Sequence, residues 1–202
     1  DYPLSSRFDG NDAILVLDKV LIPWENVLVY RDFDRCRRWN GEAGFVRLYP
    51  LQGCTRLAVK LDFITALLQK CLECTGAANF RGVQAALGEV VAWRNLFWSL
   101  SDAMAAEAQP WQNGAWLPDM QAMQTYRVMA PMADSKHKNS IESNVANGLI
   151  HLPSSQRDLN NPQIDRYPAQ PLPGLDGMAL VQRTTSHKPT RDGTGNELVG
   201  RH

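Results

Sequence analysis

The chain has 202 residues, of which 44% are apolar, so it is long enough to bury the core of one large domain. Lys plus Arg number 21 and Asp plus Glu number 21, so the formal net charge is zero. This balance does not favour nucleic acid or an anionic membrane as a partner. No apolar run approaches the roughly 20 residues that a membrane span needs, and no signal-peptide pattern is present. We expect a cytoplasmic protein, and the opening DYPLSSRFDGND is typical of the interior of a longer one.

The four cysteines and four histidines do not form a metal-binding pattern. Cys71 and Cys74 make a C-x-x-C motif, but it lies inside a helical pattern and has no second pair. The histidines form no H-x-x-x-H pair. We therefore predict ordinary reduced thiols and no metal site.

Residues 13–30 are the only β-like segment. Ala13–Leu17 and Val27–Tyr30 are short apolar runs, and Pro23 and Asn26 between them are turn residues. Two short strands are marginal alone, so we expect them to complete a sheet whose other strands precede residue 1. The charged stretch that follows, RDFDRCRRWN, is predicted to be a solvated or interface linker.

A helical hairpin is predicted from about Arg56 to about Ala108. Gly76 is a natural stop for its first arm, and Pro110 lies beyond its second. Each arm carries one apolar stripe at three- and four-residue steps. The stripes consist of Leu57, Leu61, Ile64, Leu68, Cys71 and Leu72, then Val83, Leu87, Val90, Val91, Phe97, Leu100 and Met104. The short connector predicts an up-down bundle.

A third helix is predicted from about Met120 to about Asn147. Asp119 can cap its first turn, Pro131 should kink it, and Gly148 is a natural stop. Beyond it, residues 151–202 read as a Pro-rich loop and a polar, irregular tail, because no helical stripe is visible there.

Few side chains indicate catalysis directly. Ser154 and Ser155 lack a G-x-S-x-G context, and GTG near the end is a weak match to a phosphate-binding loop. Asp62 and Glu73 are read as solvated charges, and Trp93 and Trp98 as core or helix-contact residues. The residues alone predict a helical bundle with a β appendage and no stated mechanism.

Three stretches together carry a resemblance to a known family. They are LSSRFDGNDAILVLDKVLIPWENVLVYRD, then RLAVKLDFITALLQKCLECTG with FRGVQAALGEVVAWRN, and GLIHLPSSQRDLNNPQID. Over nearly all of residues 4–167 the chain resembles the oxygenase components of the 4-hydroxyphenylacetate 3-monooxygenase family, which are two-component, FAD-dependent aromatic hydroxylases. The resemblance implies a mainly α chain with an acyl-CoA-dehydrogenase-like C-terminal bundle. It implies the end of a middle β-barrel and a linker at 1–40, the bundle at 41–150, and a divergent tail at 151–202.

The resemblance also implies the chemistry. Relatives use reduced FAD, supplied by a separate flavin reductase, and O₂ to hydroxylate a phenol ortho to its hydroxyl, as in the breakdown of aromatic compounds. The expected partners are a phenolic substrate, the reductase and further copies in a homo-tetramer. The catalytic residues are expected before residue 1, so the isolated chain should be inactive. The alternatives are a catalytically silent oligomerisation module and a true dehydrogenase of the parent superfamily.

Two places are candidates for contact with FAD. The turn after the third helix has hydroxyls and N–H groups that suit phosphate or ribose oxygens, and it consists of Leu152, Pro153, Ser154 and Ser155. Arg81 and Gln84 open the second arm, where related dehydrogenases place flavin contacts. The alternatives are a simple connector for the turn, and a surface arginine and a capping glutamine for the helix.

The resemblance fails after Val181–Arg183. There the family continues with an amphipathic helix, but TTSHKPTR contains Pro189 and no apolar stripe. It resumes at Asp192 with DGTGNELVGRH and stops at His202. An altered end of a longer reading frame is the expected explanation.

Overall fold

A computed structural model describes Leu4, residues 13–150, Thr185, residues 187–190 and Asp192. Side chains of the long C-terminal helix are described up to Val145. The regular elements of residues 13–150 are α1 (Phe33–Glu42), α2 (Phe45–Thr75), α3 (Arg81–Ala106), β1 (Gln109–Pro110), β2 (Trp116–Leu117) and α4 (Met120–Ile150). Over the described ranges, no helix combines the length and the apolarity needed to cross a membrane.

The core lies between α2, α3 and α4, and the predicted apolar stripes face it. All six stripe residues of α2 are buried, as are Val90, Phe97 and Met104 of α3. From α4, Met123 and Tyr126 complete one half of the core, and Ile141 and Val145 complete the other. The predicted helical hairpin and third helix are thereby confirmed, and Gly76 ends α2 in the left-handed conformation as expected.

Helix α2 begins well before the predicted Arg56. Gly44 precedes it with φ of 70°, and a side chain there would meet Leu117 at 3.0 Å. The Arg47 guanidinium clamps the first turn, since its Nε donates to the Pro118 carbonyl oxygen at 2.7 Å. Helix α2 continues through Pro50 and Gly53, two residue types that disfavour a helix interior.

The two strands predicted within residues 13–30 are not formed in this structure, and the partners expected for them, before residue 1, are not part of the chain. Neither Ala13–Leu17 nor Val27–Tyr30 is paired with another described segment, and a single helical turn, Trp24–Asn26, lies between them. A strand exists only where a neighbour accepts and donates its backbone hydrogen bonds. The apolar side chains instead stay open, with Ile14 91%, Leu21 89% and Leu28 87% exposed.

The predicted linker at 31–40 is largely a helix. Asp32 caps α1 by accepting a hydrogen bond from the Arg35 backbone N–H at 2.9 Å. Within α1, Arg38 and Glu42 form an exposed pair at 2.9 Å. The segment has no buried residue, so its solvation was predicted correctly and its conformation was not.

The predicted irregular tail contains helical residues. Thr185, residues 187–190 and Asp192 are helical, and His187, Thr190 and Asp192 are buried. Thr190 Oγ1 lies 3.2 Å from Cys71 Sγ. The residues that this segment buries are therefore polar. A search for apolar stripes cannot find such a helix. The rest of residues 151–202 lies outside the described residues, and the division at 40 and 150 stays a prediction.

Gly53 of α2 lies in close contact with Tyr126 of α4 in the core. A Cβ at Gly53 would lie 2.6 Å from Tyr126 Oη but 3.3 Å from the next ring atom, Cζ. We expect Gly53→Ala to lower the free energy of unfolding by about 1–3 kcal/mol, because the buried ring cannot move away. Adding Tyr126→Phe should recover part of the loss. Urea unfolding of the single and double variants measures both effects.

Gly88 provides the matched control. It also lies inside a helix, but a Cβ there meets nothing within 4 Å. Gly88→Ala should therefore stabilise the protein by up to about 1 kcal/mol, through helix propensity alone. Equal effects of the alanine substitution at positions 53 and 88 would contradict the proposed crossing.

Candidate functional site

The two predicted contacts in the second arm lie at the exposed start of α3. Arg81 is the first residue of this helix, and Gln84 follows one turn later on the same side. The preceding residue, Phe80, makes no side-chain hydrogen bond to the first turn. A Cβ at Gly82 would meet nothing within 4 Å. Among the described residues nothing covers the positive end of the helix dipole, and an arginine opens the helix, an arrangement that suits an anion.

The other predicted contact, Leu152–Ser155, lies outside the described residues. Its predicted position directly after a helix end agrees with α4, which runs to Ile150. The start of α3 and the last described turns of α4 share one apolar cluster: Ile141 and Val145 belong to it, and Val83 and Leu87 pack against it. The fold therefore brings Arg81 and the end of α4 to the same end of the bundle, which we call the α3-start end.

Asp62 is not the solvated charge that its sequence context predicts. Its carboxylate accepts hydrogen bonds from Arg94 Nε and from Trp98 Nε1, the latter at 3.1 Å, and so ties α2 to α3. Arg94 also donates to Asn95 through Nη1 at 2.9 Å. Sequence spacing within one helix carries no signal for a partner on another helix. Because these side chains are partly exposed, the ion pair positions the helices more than it stabilises them.

Burial keeps the thiols of Cys54 and Cys71 protonated at neutral pH. Burial raises the pKa of Cys54 to about 12 and that of Cys71 to about 11, so both remain protonated. None of the four cysteines forms a disulfide, and Cys36 is the exposed one among them. In the part of the chain that the structure describes, no three His, Cys, Asp or Glu side chains are grouped to hold a metal ion.

His137 is a titratable group inside the α3–α4 contact. It is 5% exposed, and its Nδ1 must donate to the Ala133 carbonyl, which can only accept. Burial lowers the pKa of His137, and the backbone at Ala133 and Val90 and the carboxylates of Asp134 and Glu89 only partly oppose this. The imidazole is therefore held neutral in the folded protein.

Family models match the chain along most of its length. The model described as 4-hydroxyphenylacetate 3-hydroxylase C terminal matches residues 36–202, and the corresponding N terminal model matches residues 1–29. A 4-hydroxyphenylacetate 3-monooxygenase oxygenase component of Escherichia coli is 70% identical over all 202 residues, and one of Klebsiella oxytoca is 68% identical. The chain spans 39% of the length of each of these relatives.

A solved structure shares the fold. It is that of a 4-hydroxyphenylacetate 3-monooxygenase oxygenase component in complex with FAD and 4-hydroxyphenylacetate, with a TM-score of 0.82 and 22% identity. The match covers 91% of this chain and 38% of the other. The predicted fold class, mainly α with an acyl-CoA-dehydrogenase-like bundle, is therefore confirmed.

Because His137 is buried, we expect the stability of the folded protein to depend on pH. Its pKa in the folded protein lies below the unfolded value of about 6.5, so the unfolded state takes up a proton first as the pH falls. Stability from the neutral imidazole should be complete above about pH 6.5 and should then fall, by at most about 1.4 kcal/mol per pH unit, until the folded pKa is reached.

His137→Asn should flatten this slope, since its amide can still donate to Ala133 but does not titrate. Chemical denaturation of both proteins between pH 5 and 8 gives the comparison. Parallel pH profiles for the two proteins would show that His137 does not titrate in a buried state.

Proposed function

Because the chain belongs to the 4-hydroxyphenylacetate 3-hydroxylase family, we propose that it is part of the oxygenase component of a two-component, flavin-dependent monooxygenase. The proposed substrate is 4-hydroxyphenylacetate or a related phenol, hydroxylated ortho to its hydroxyl group to give a catechol. The observation that carries this proposal is the 70% identity to such a component along the whole chain. The chain spans 39% of that relative, so we assign the activity to a longer polypeptide and expect the 202 residues alone to be inactive.

The proposed cofactor is FAD, reduced by a separate flavin reductase. When bound, reduced FAD supplies the electrons for O₂, of which one oxygen atom enters the phenol ring and the other leaves as water. The α3-start end of the bundle fits part of such a cofactor. Arg81 and the open first turn of α3 suit a pyrophosphate, and Gln84 can donate or accept a hydrogen bond beside it.

The turn Leu152–Ser155 is proposed as the second contact to FAD. Support comes from the end of α4 at Ile150 and from the cluster that joins the end of α4 to the start of α3. Two hydroxyls and the backbone N–H groups of a turn can hold phosphate or ribose oxygens. In this arrangement the bundle binds the phosphate end of the cofactor and leaves the ring to residues that precede the chain.

We also propose a homo-tetramer in the cytoplasm. Large apolar side chains are exposed along residues 14–49, far more than a monomer usually leaves open, and the four cysteines form no disulfide, as in a reducing compartment. The same exposed surface favours the second candidate, a catalytically silent oligomerisation module. The mass of the native polypeptide separates the two: a value near 22.6 kDa supports the module, and a much larger one supports the enzyme.

A chimera tests the proposed activity. The 202 residues replace the aligned segment of the Escherichia coli relative, and the protein receives FAD, a reductase and 4-hydroxyphenylacetate. We expect formation of the catechol, detected by chromatography. A chimera that folds and binds FAD but forms no catechol would overturn the assigned reaction.

The same chimera tests the proposed FAD contacts. Arg81→Ala should weaken FAD binding about ten- to a hundredfold, because a charge-assisted hydrogen bond contributes about 1.5–3 kcal/mol. Ser154→Ala with Ser155→Ala should weaken it roughly five- to a hundredfold. Arg127→Ala is the control, since Arg127 is an exposed arginine of α4. Calorimetric titration that gives equal affinities for all variants would remove both contacts from the site.

The exposed apolar surface predicts self-association of the 202-residue chain. At micromolar concentration, light scattering should report a mass well above 22.6 kDa. Leu15→Ser with Leu21→Ser should lower that mass, since both side chains are more than 80% exposed and contribute nothing to the core. A monodisperse monomer before substitution would show that the surface does not drive association.

A further inference from the structure

A hydrogen bond joins residues near the two ends of the described chain. The backbone N–H of Leu4 donates to Asp192 Oδ2 at 2.8 Å, across 188 positions of sequence. Asp192 is only 3% exposed. A buried carboxylate is costly unless it is hydrogen-bonded, so a contact of this kind is specific rather than incidental.

The helical segment that carries Asp192 is itself attached to the bundle. Two residues earlier, Thr190 is buried, and its Oγ1 lies 3.2 Å from Cys71 Sγ in the last turns of α2. Cys71 belongs to the same apolar cluster as Val90 and Ile141. A continuous set of contacts therefore runs from Leu4 through Asp192 and Thr190 into the core.

The contact crosses the boundary between two family regions. Leu4 lies in residues 1–29, which match the N-terminal model, and Asp192 lies in residues 36–202, which match the C-terminal model. Residues 13–32, which follow Leu4 in the chain, have no strand pairing and no buried side chain. They therefore do not anchor Leu4 to the bundle. We propose that Asp192 is a positioning residue that holds the N-terminal region, at Leu4, against the C-terminal bundle.

The contact lies at the α3-start end of the bundle, because Cys71 is close to the end of α2 and the connector from α2 leads into Arg81. Asp192 would thus set where the N-terminal region meets the proposed flavin contacts. That consequence rests on the proposed function. The positioning role does not, since it requires only Leu4, Asp192 and the bundle.

Amide hydrogen exchange of the 202-residue chain tests the proposal. In the unsubstituted chain, the Leu4 amide should exchange more slowly than a free amide. Asp192→Ala should raise its exchange rate about ten- to a hundredfold, and Asp192→Asn by less, because the asparagine oxygen is a neutral acceptor. Amides in the middle of α2, α3 and α4 should keep their rates in both variants.

Asp119 offers the matched control. Its carboxylate accepts a hydrogen bond from the Ala122 backbone N–H, also at 2.8 Å, but within the first turn of α4. Asp119→Ala should speed exchange at Ala122 and leave Leu4 unchanged. A Leu4 amide that exchanges freely before any substitution, or whose rate Asp192→Ala does not alter, would overturn the proposal.

A double-mutant cycle keeps the test decisive if Asp192→Ala does not fold. Leu4→Pro removes the donor N–H and leaves Asp192 in place. If the two groups act as one contact, Asp192→Asn should lower the thermal midpoint less in the Leu4→Pro background than in the unsubstituted chain. Additive shifts would show that the two residues act independently, and the positioning role would be rejected. Neither measurement involves FAD, so a failure here is distinguishable from a failure of the proposed activity.

Discussion

The packing of α2 between α3 and α4 is the constraint on which the rest of the structure depends. Every stripe residue of α2 is buried, and both α3 and α4 contribute to both halves of the core, so neither of these two helices can separate from α2 without exposing it. Each buried leucine contributes on the order of 2 kcal/mol, more than any of the exposed ion pairs. The polar contacts of α2, at Arg47, Asp62 and Cys71, add direction to this packing: each fixes a different neighbour along the length of the helix.

Features that depend on neighbouring residues could be predicted from the sequence, whereas features that depend on contacts between distant residues could not. The stripe of α2 and its stop at Gly76 are local patterns, and both are found in the structure. The start of α2 depends on Arg47 binding a carbonyl 71 positions away, which no local pattern encodes. The apolar run Ala13–Leu17 has strand propensity, but a strand requires a partner, and none of the described segments supplies one.

In the candidate site, too, local features were predictable from the sequence and long-range contacts were not. Arg81 and Gln84 were placed correctly at the start of a helix because Gly76 and the onset of periodicity are local signals. Their proximity to the end of α4 is a property of antiparallel packing and emerges only from the cluster that Val83 shares with Val145. Asp62 could not be recognised as a link between helices. Its partners Arg94 and Trp98 lie 32 and 36 positions later in the sequence, on another helix, and face it only after folding.

The bundle thus has two kinds of surface with different physical roles. Its interior between α2, α3 and α4 is mainly apolar, with His137 among the few buried polar groups, and these helices bury their stripes against one another without the N-terminal region. At the α3-start end, the apolar cluster is supplemented by polar and directional contacts of the buried residues Thr190 and Asp192. Hydrophobic burial is strong but tolerant of sliding, whereas a hydrogen bond is satisfied in one geometry only. A scaffold that must hold a second region in register therefore needs polar contacts at that end, and the described residues provide them there.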